Sequence, residues 1–226
     1  MEFTGFSEGT LAFLAELAEH NDRVWFAENR GRYEVELLNR QRAFVDAMGA
    51  AFADVDPRVQ AVSSVNKSIF RINRDTRFSR DKSPYKTYSD LFFWIGDDRK
   101  SDPGYFLRII PEGLWVGCGQ HSLTSQQLAR LRSAIVAPAS GGEFERLLDE
   151  LTDASYEVGE KTLVRVPAGF SADAPRADLL RLTVVHAIET VSPAPDEFFG
   201  PEFVEWCLAR FERVRPLVDW LVEYVG

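Results

Sequence analysis

The stretch Tyr105–Gly119, "YFLRIIPEGLWVGCG", decides the fold. Two runs rich in aromatic and β-branched residues flank Pro111-Glu112-Gly113, and Gly113 can take a positive φ at little cost. The spacing predicts a β-hairpin. Working upstream, "SDLFFWIG" (89–96) reads as a longer apolar strand. "SIFRIN" (68–73) alternates, which puts Phe70 and Ile72 on one face and Arg71 and Asn73 on the other. These runs predict an antiparallel sheet of about four strands between residues 68 and 120. They follow one another without intervening helices, which disfavours a doubly wound βαβ arrangement.

Helical spacing dominates on either side. Residues 7–20 carry Leu11, Leu14, Leu17 and Ala18 on one face, with Ser7 placed to cap. A second helix is predicted from about Arg23 to Ala53, capped by Asn21 or Asp22 and stopped by Asp56-Pro57. Further helices are expected at 124–137 and 142–152, the latter starting at Gly141-Gly142. Short strands are expected at "TLVRVP" (162–167) and "LTVVHAIE" (182–189). Pro201 suits the first turn of a last helix, and Pro216 should kink or split it. The expected fold is α+β: one domain over 1–226, with an antiparallel sheet of about four to six strands and helices packed on it.

The chain has 226 residues, 26 basic and 35 acidic, for a net charge of −9. That length can bury a substantial core. The acidic balance favours solubility and opposes non-specific attraction to nucleic acid or anionic membrane. Glu2 and Glu8 stand where a secretory leader would be basic, and no run approaches the length of a membrane span. Cys118 and Cys207 lie far apart in apolar segments and read as buried thiols. A cytoplasmic protein is expected.

Against that acidic background, "FRINRDTRFSRDKSPYKTY" (70–88) carries Arg71, Arg74, Arg77, Arg80, Lys82 and Lys86 against only Asp75 and Asp81. Asn73 and Asp75 favour a turn, and Ser83 before Pro84 favours extended backbone, so 79–86 reads as a shaped loop. Such a loop can fold back on the strand before it. Arg71, Arg74, Arg77, Lys82 and Lys86 would then converge on an anion, with Ser79, Thr76 and Tyr85 adding neutral hydrogen bonds. Asp75 would orient an arginine or act as a base. Two other readings stay open. The cations can pair with the protein's own acids, as an internal ion-pair network or a docking surface for an acidic partner. Alternatively, their interleaving with Phe70, Phe78, Tyr85 and Tyr88 can make a single-stranded nucleic-acid surface, which the overall charge disfavours.

Other candidates carry less. Glu16 and His20, four apart on the first helix with Asp22 near, are more simply a solvated helix contact than the start of a metal site. His121 sits at a strand end, and His186 reads as a core histidine. Trp25 and Phe26 are expected in the core; a sharper reading puts Asn29, Arg30 and Tyr33 on the rim of the same pocket as Arg74, against a plain amphipathic helix face, and Arg30 stays open between the two. No cofactor or metal is expected: there is no clustered Cys/His spacing and no GxSxG elbow. The glycines of Gly117-Cys118-Gly119 are no dinucleotide fingerprint, and read instead as a place of close backbone approach.

Taken together, "NDRVWFAENRGRY" (21–33), the 70–88 segment, "GYFLRIIPEGLWVGCG" (104–119) and "RVPAGFSADAPRADLLR" (165–181) resemble the family called domain of unknown function 2461. The resemblance covers nearly the whole chain in the same order. Asp173-Ala174-Pro175 stands where an Asp-His-Pro step would be expected, without its histidine. The resemblance implies a single-domain α+β fold and no particular activity. It places motif positions at Arg71, Arg74, Asp75, Thr76, Arg77, Phe78, Ser79, Asp81, Lys82, Pro84, Tyr85 and Lys86.

Overall fold

A computed structural model describes residues 2–161 and 163–226. Helix α1 (Glu8–Glu19) starts where expected. Ser7 accepts from the Thr10 amide while the Thr10 hydroxyl accepts from the Ser7 amide, so two orphan donors of the first turn are met. Asp22 caps α2 (Arg23–Glu28) by accepting from the amides of Val24 and Trp25. The expected long helix then runs on through α3 (Arg30–Arg32), a π-helical segment (Tyr33–Leu38) and α4 (Asn39–Val55). In the wider turn, Thr10 Oγ1 donates to the Glu36 carbonyl at 2.6 Å and Ser7 Oγ to the Glu36 carboxylate at 2.7 Å. These tertiary bonds support a winding that helix propensity alone would not choose.

The strands form one six-stranded antiparallel sheet, and the fold is α+β. They are β1 (Val59–Gln60), β2 (Ser89–Ile95), β3 (Gly104–Ile110), β4 (Gly113–Gln120), β5 (Glu157–Lys161) and β6 (Leu182–Val191), in the order β1-β2-β3-β4-β6-β5. The predicted hairpin is β3–β4. Close backbone approach holds at Gly117, where a Cβ would collide with the Ala187 carbonyl oxygen, and at Gly119, where it would lie 2.7 Å from the Val185 oxygen. At the irregularity between Val158 and Glu160 on β5, Gly159 takes φ +57°, a value open to glycine.

Three expectations are corrected. "SIFRIN" is not a strand: it touches β2 by the single bridge Ile69–Leu91 and then closes on its own loop through Asn73–Tyr85. Ile69 and Ile72 are buried while Phe70 is half-buried, so the alternation breaks where the chain leaves the sheet edge. "TLVRVP" does not form a strand over 163–167 (Thr162 lies outside the described residues); Leu163 and Arg181 instead hold one another, amide to carbonyl and guanidinium to carbonyl. Pro216 does not split the last helix. Helix α7 (Phe203–Tyr224) continues through it, with Val214, Leu217, Val218 and Leu221 fully buried and the proline on the exposed side. Burial of the apolar stripe outweighs one lost helical bond. The helix starts just after Pro201, which lies in the preceding turn. Helix α5 (Ser125–Val136) matches its expected span, whereas α6 (Pro138–Asp153) starts earlier, with Pro138 in its first turn.

By compactness the chain divides into two units. The first comprises Met1–Phe93, Phe106–Trp115 and Thr190–Leu208, and the second Trp94–Tyr105, Val116–Glu189 and Ala209–Gly226. The first unit is cored by aromatic rings. Phe6 stacks on Phe198 at 4.9 Å, Phe44 meets Phe203 at 5.4 Å, and Phe52 of α4 meets Phe93 of β2 at 5.4 Å. In the second, Phe144 stacks on Trp220 at 4.3 Å and Tyr105 of β3 meets Phe211 of α7 at 5.0 Å. Both cysteines are buried thiols, and burial pushes Cys118 up to about 12. Among the described residues no helix is long and apolar enough to cross a membrane.

Candidate anion-binding site

The 70–88 segment is a built loop of the first unit. Its neck is closed by main-chain bonds from the Arg74 amide to the Pro84 carbonyl (2.9 Å) and from the Lys86 amide to the Ile72 carbonyl (2.8 Å). Asn21 clamps the neck from the α1–α2 junction, donating to the Tyr85 carbonyl and accepting from the Tyr85 amide. Tyr85 is buried, with its ring stacked on Phe26 at 4.1 Å, so it serves as an anchor of the loop. Phe26 also touches Tyr33 at 5.3 Å and Phe13 at 6.4 Å. Trp25 and Phe26 are half-buried supports for the loop, not the core residues their periodicity predicts.

Beyond the neck the cations divide. The Arg77 guanidinium grips Asp75 through Nε and Nη2, at 3.0 and 2.6 Å, and both side chains are exposed. Those bonds, with help from the Arg71 charge, lower Asp75 to about 2. So acidic a carboxyl has little affinity for a proton at neutral pH, which argues against a general-base role. Arg74 pairs with Asp81. Asp81 also accepts from the Ser83 hydroxyl and amide at 2.6 and 2.9 Å, and these bonds and Arg74 hold it well below the usual carboxylate range. Lys82 Nζ donates to the Thr76 carbonyl at 2.8 Å. Arg71 and Arg80 are exposed, and Ser79 is half-buried. At the tip, Phe78 is 95% exposed, with the Arg77 guanidinium 5.8 Å from its ring centre.

Lys86 takes another direction. Its Nζ lies 3.5 Å from Asp90 on β2, and the same carboxylate accepts from Arg108 Nε of β3 at 2.6 Å. The three side chains are 18%, 15% and 25% exposed respectively. The Arg108 guanidinium lies over two rings, 3.9 Å from the Tyr88 centroid and 4.8 Å from that of Trp115 on β4. Lys86 lies 5.2 Å from the Phe70 ring and 5.5 Å from that of Tyr88. Strand alternation sets this face. In β3, Leu107 and Ile109 are fully buried while Phe106, Arg108 and Ile110 are only half-buried, so the arginine emerges opposite the core. Arg108, Asp90 and Trp115 escape a reading that searches for runs of charge. Their available signal was one arginine inside the apolar run "YFLRII", on the face opposite its buried neighbours.

The remaining candidates have structural partners. Arg32 grips Glu16 through both Nη atoms at 2.7 and 2.8 Å, His20 stacks on Trp25, and Asp22 serves as a cap. Asn29 accepts from Arg32, and Arg30 pairs with Glu34. His121 is exposed, and its ring stacks at 5.8 Å on the buried His186. Among the described residues no group of three or more His, Cys, Asp or Glu side chains is placed to hold a metal ion.

No curated protein and no solved structure matches the chain significantly. A family model does: the one described as "Conserved hypothetical protein (DUF2461)" matches residues 9–220, which include the whole 70–88 loop and the Lys86–Asp90–Arg108 cluster. The chain belongs to that family, domain of unknown function 2461.

Proposed function

We propose that the protein binds a phosphate- or carboxylate-bearing small molecule at the base of the 70–88 segment, over Lys86 and Arg108. One observation carries this reading: two cations share the single carboxylate of Asp90, so the half-buried cluster keeps one positive charge in excess. Among the described residues Arg108 Nη1 makes no hydrogen bond, which leaves part of its planar fork for an incoming oxygen anion. Low exposure strengthens that attraction relative to a surface lysine, because the effective dielectric is lower. Tyr88, Trp115 and Phe70 provide flat apolar walls for the organic part of a ligand. The test is an NMR titration with phosphate, sulfate, citrate and phosphorylated metabolites at constant ionic strength, following the Trp115 indole N–H. A saturable shift, lost in Arg108→Gln, is expected. Silence at Trp115 across the whole panel overturns the reading.

A second reading has its own support. The Arg74–Asp81 and Arg77–Asp75 pairs fit an internal ion-pair network that shapes a non-catalytic interaction loop. On that reading Asp81→Asn loosens the loop, as read by faster amide exchange over 74–84, while every anion stays silent.

A further inference from the structure

We infer that the Phe78 loop is a docking knob for a second copy of this chain, and that its socket is the apolar cleft between α6 and α7. A phenylalanine at 95% exposure is an apolar side chain without cover. Its loop does not hold it there by looseness: Arg77–Asp75, Arg74–Asp81, Asp81–Ser83 and Lys82–Thr76 brace both sides of the tip. A braced tip loses little conformational entropy on docking. Residues 71–82 carry five cations against two acids, a net of +3, in a chain whose total is −9.

The second unit offers a match in shape and sign. A half-open cleft of about 270 Å³ is lined by Leu147, Leu151 and Leu217, which are nearly or fully buried, and by the exposed Pro216, with Glu150 and Arg213 also lining it. A cavity of about 150 Å³ suffices to hold benzene, so the cleft has volume enough for one phenyl ring. Helix α6, which supplies Leu147, Glu150 and Leu151, carries five acids against the single base Arg146, a net of −4. At the cleft itself Glu150 pairs with Arg146 and Arg213 lines the other wall, so the complement to a knob ringed by cations comes from the remaining acids of α6.

Charge also selects among occupants. A polyanionic membrane or nucleic acid repels the −9 of the whole molecule over an extended surface, whereas a second copy, which also carries −9, is a small body whose distant charges are screened. An acidic helix needs only short-range attraction, inside the screening length of about 8–10 Å. The contact is heterologous, since knob meets socket and not knob. Each copy therefore offers one of each, and the assembly grows as a ring or a chain.

Sedimentation equilibrium of the full chain tests this. The weight-average mass should rise above the 25.6 kDa of one chain as concentration increases, and less so at high salt. Phe78→Ser removes an exposed ring and leaves the fold intact; association should weaken by about ten-fold or more. Glu150→Lys changes an exposed rim residue and should weaken it too, while Arg213→Glu should tighten it. Mixing the Phe78→Ser and Glu150→Lys variants should restore pairing, because each retains the element the other lost. A monomer at every concentration overturns the proposal, as does association that both variants leave unchanged. Phe78-dependent binding of a monomer to an oligo-dT strand or a phosphatidylserine vesicle overturns it in favour of a polyanion. None of these readouts touches Lys86 or Arg108, so this inference and the anion site fail separately.

Discussion

The side chain of Asn21 pairs with the main chain of Tyr85 as a neighbouring strand would, giving one hydrogen bond and taking another, each 3.0 Å long. The two residues are 64 positions apart, so one amide group ties the loop neck to the junction of the first two helices. Asn21→Ala leaves both Tyr85 groups without that partner. The expected loss is about 1–3 kcal/mol, read as a lower urea midpoint. Asn21→Asp should also destabilise, because its carboxylate would face the Tyr85 carbonyl oxygen. Amide exchange over 72–86 should rise in both variants.

Asp90 holds Lys86 and Arg108 at once, and its loss separates stability from binding. Asp90→Asn keeps the shape and removes the charge, so two half-buried cations lose their counter-ion at a cost of about 2 kcal/mol in stability. The same change removes the protein's own competitor for an external anion. Stability should therefore fall while phosphate or carboxylate affinity rises. If affinity falls instead, Asp90 contributes something other than charge to the cluster.

Asp75 predicts an acid-dependent loop. Its carboxyl is lowered from 3.8 to about 2, chiefly by the Arg77 hydrogen bonds. A depressed folded-state value means that the stabilisation is present above the unfolded value and is lost as pH falls through the folded one. The loop should thus be unchanged by pH near neutrality and loosen only as pH drops from about 4 towards 2. Carbon-13 detection of the Asp75 carboxyl reports its titration directly. Arg77→Gln should return it towards 3.8.

Gly117→Ala should be among the most damaging small substitutions. The added methyl would meet the Ala187 carbonyl oxygen of β6, which is main chain and cannot swing aside. β4 and β6 would have to part locally, at an expected cost of about 3 kcal/mol or more. Thermal unfolding of the variant measures this. Gly142→Ala is the control: nothing lies within 4 Å of the added carbon, and α6 should gain slightly from alanine's higher helix propensity.

What the sequence determined by itself is local. Ser7 and Asp22 cap the residues beside them, the Pro111-Glu112-Gly113 turn joins adjacent strands, and apolar residues at helical spacing mark α1. Each follows from contacts between near neighbours or from a period of 3.6 or 2. The same logic failed at "SIFRIN", where the alternation is present and the partner strand is not: beyond the Ile69–Leu91 bridge the chain turns away. The charge-rich loop was legible as a loop, and its resemblance to the family located it again. The destinations of its cations were not legible. Arg74 finds Asp81 seven residues on, Arg77 turns back to Asp75, and Lys86 leaves for a carboxylate shared with an arginine 18 residues beyond it. Only the tertiary structure decided these pairings. A charge is attracted to any opposite charge, and which one it meets depends on where the sheet and the loop neck hold the backbones, a distance that no spacing in the sequence encodes.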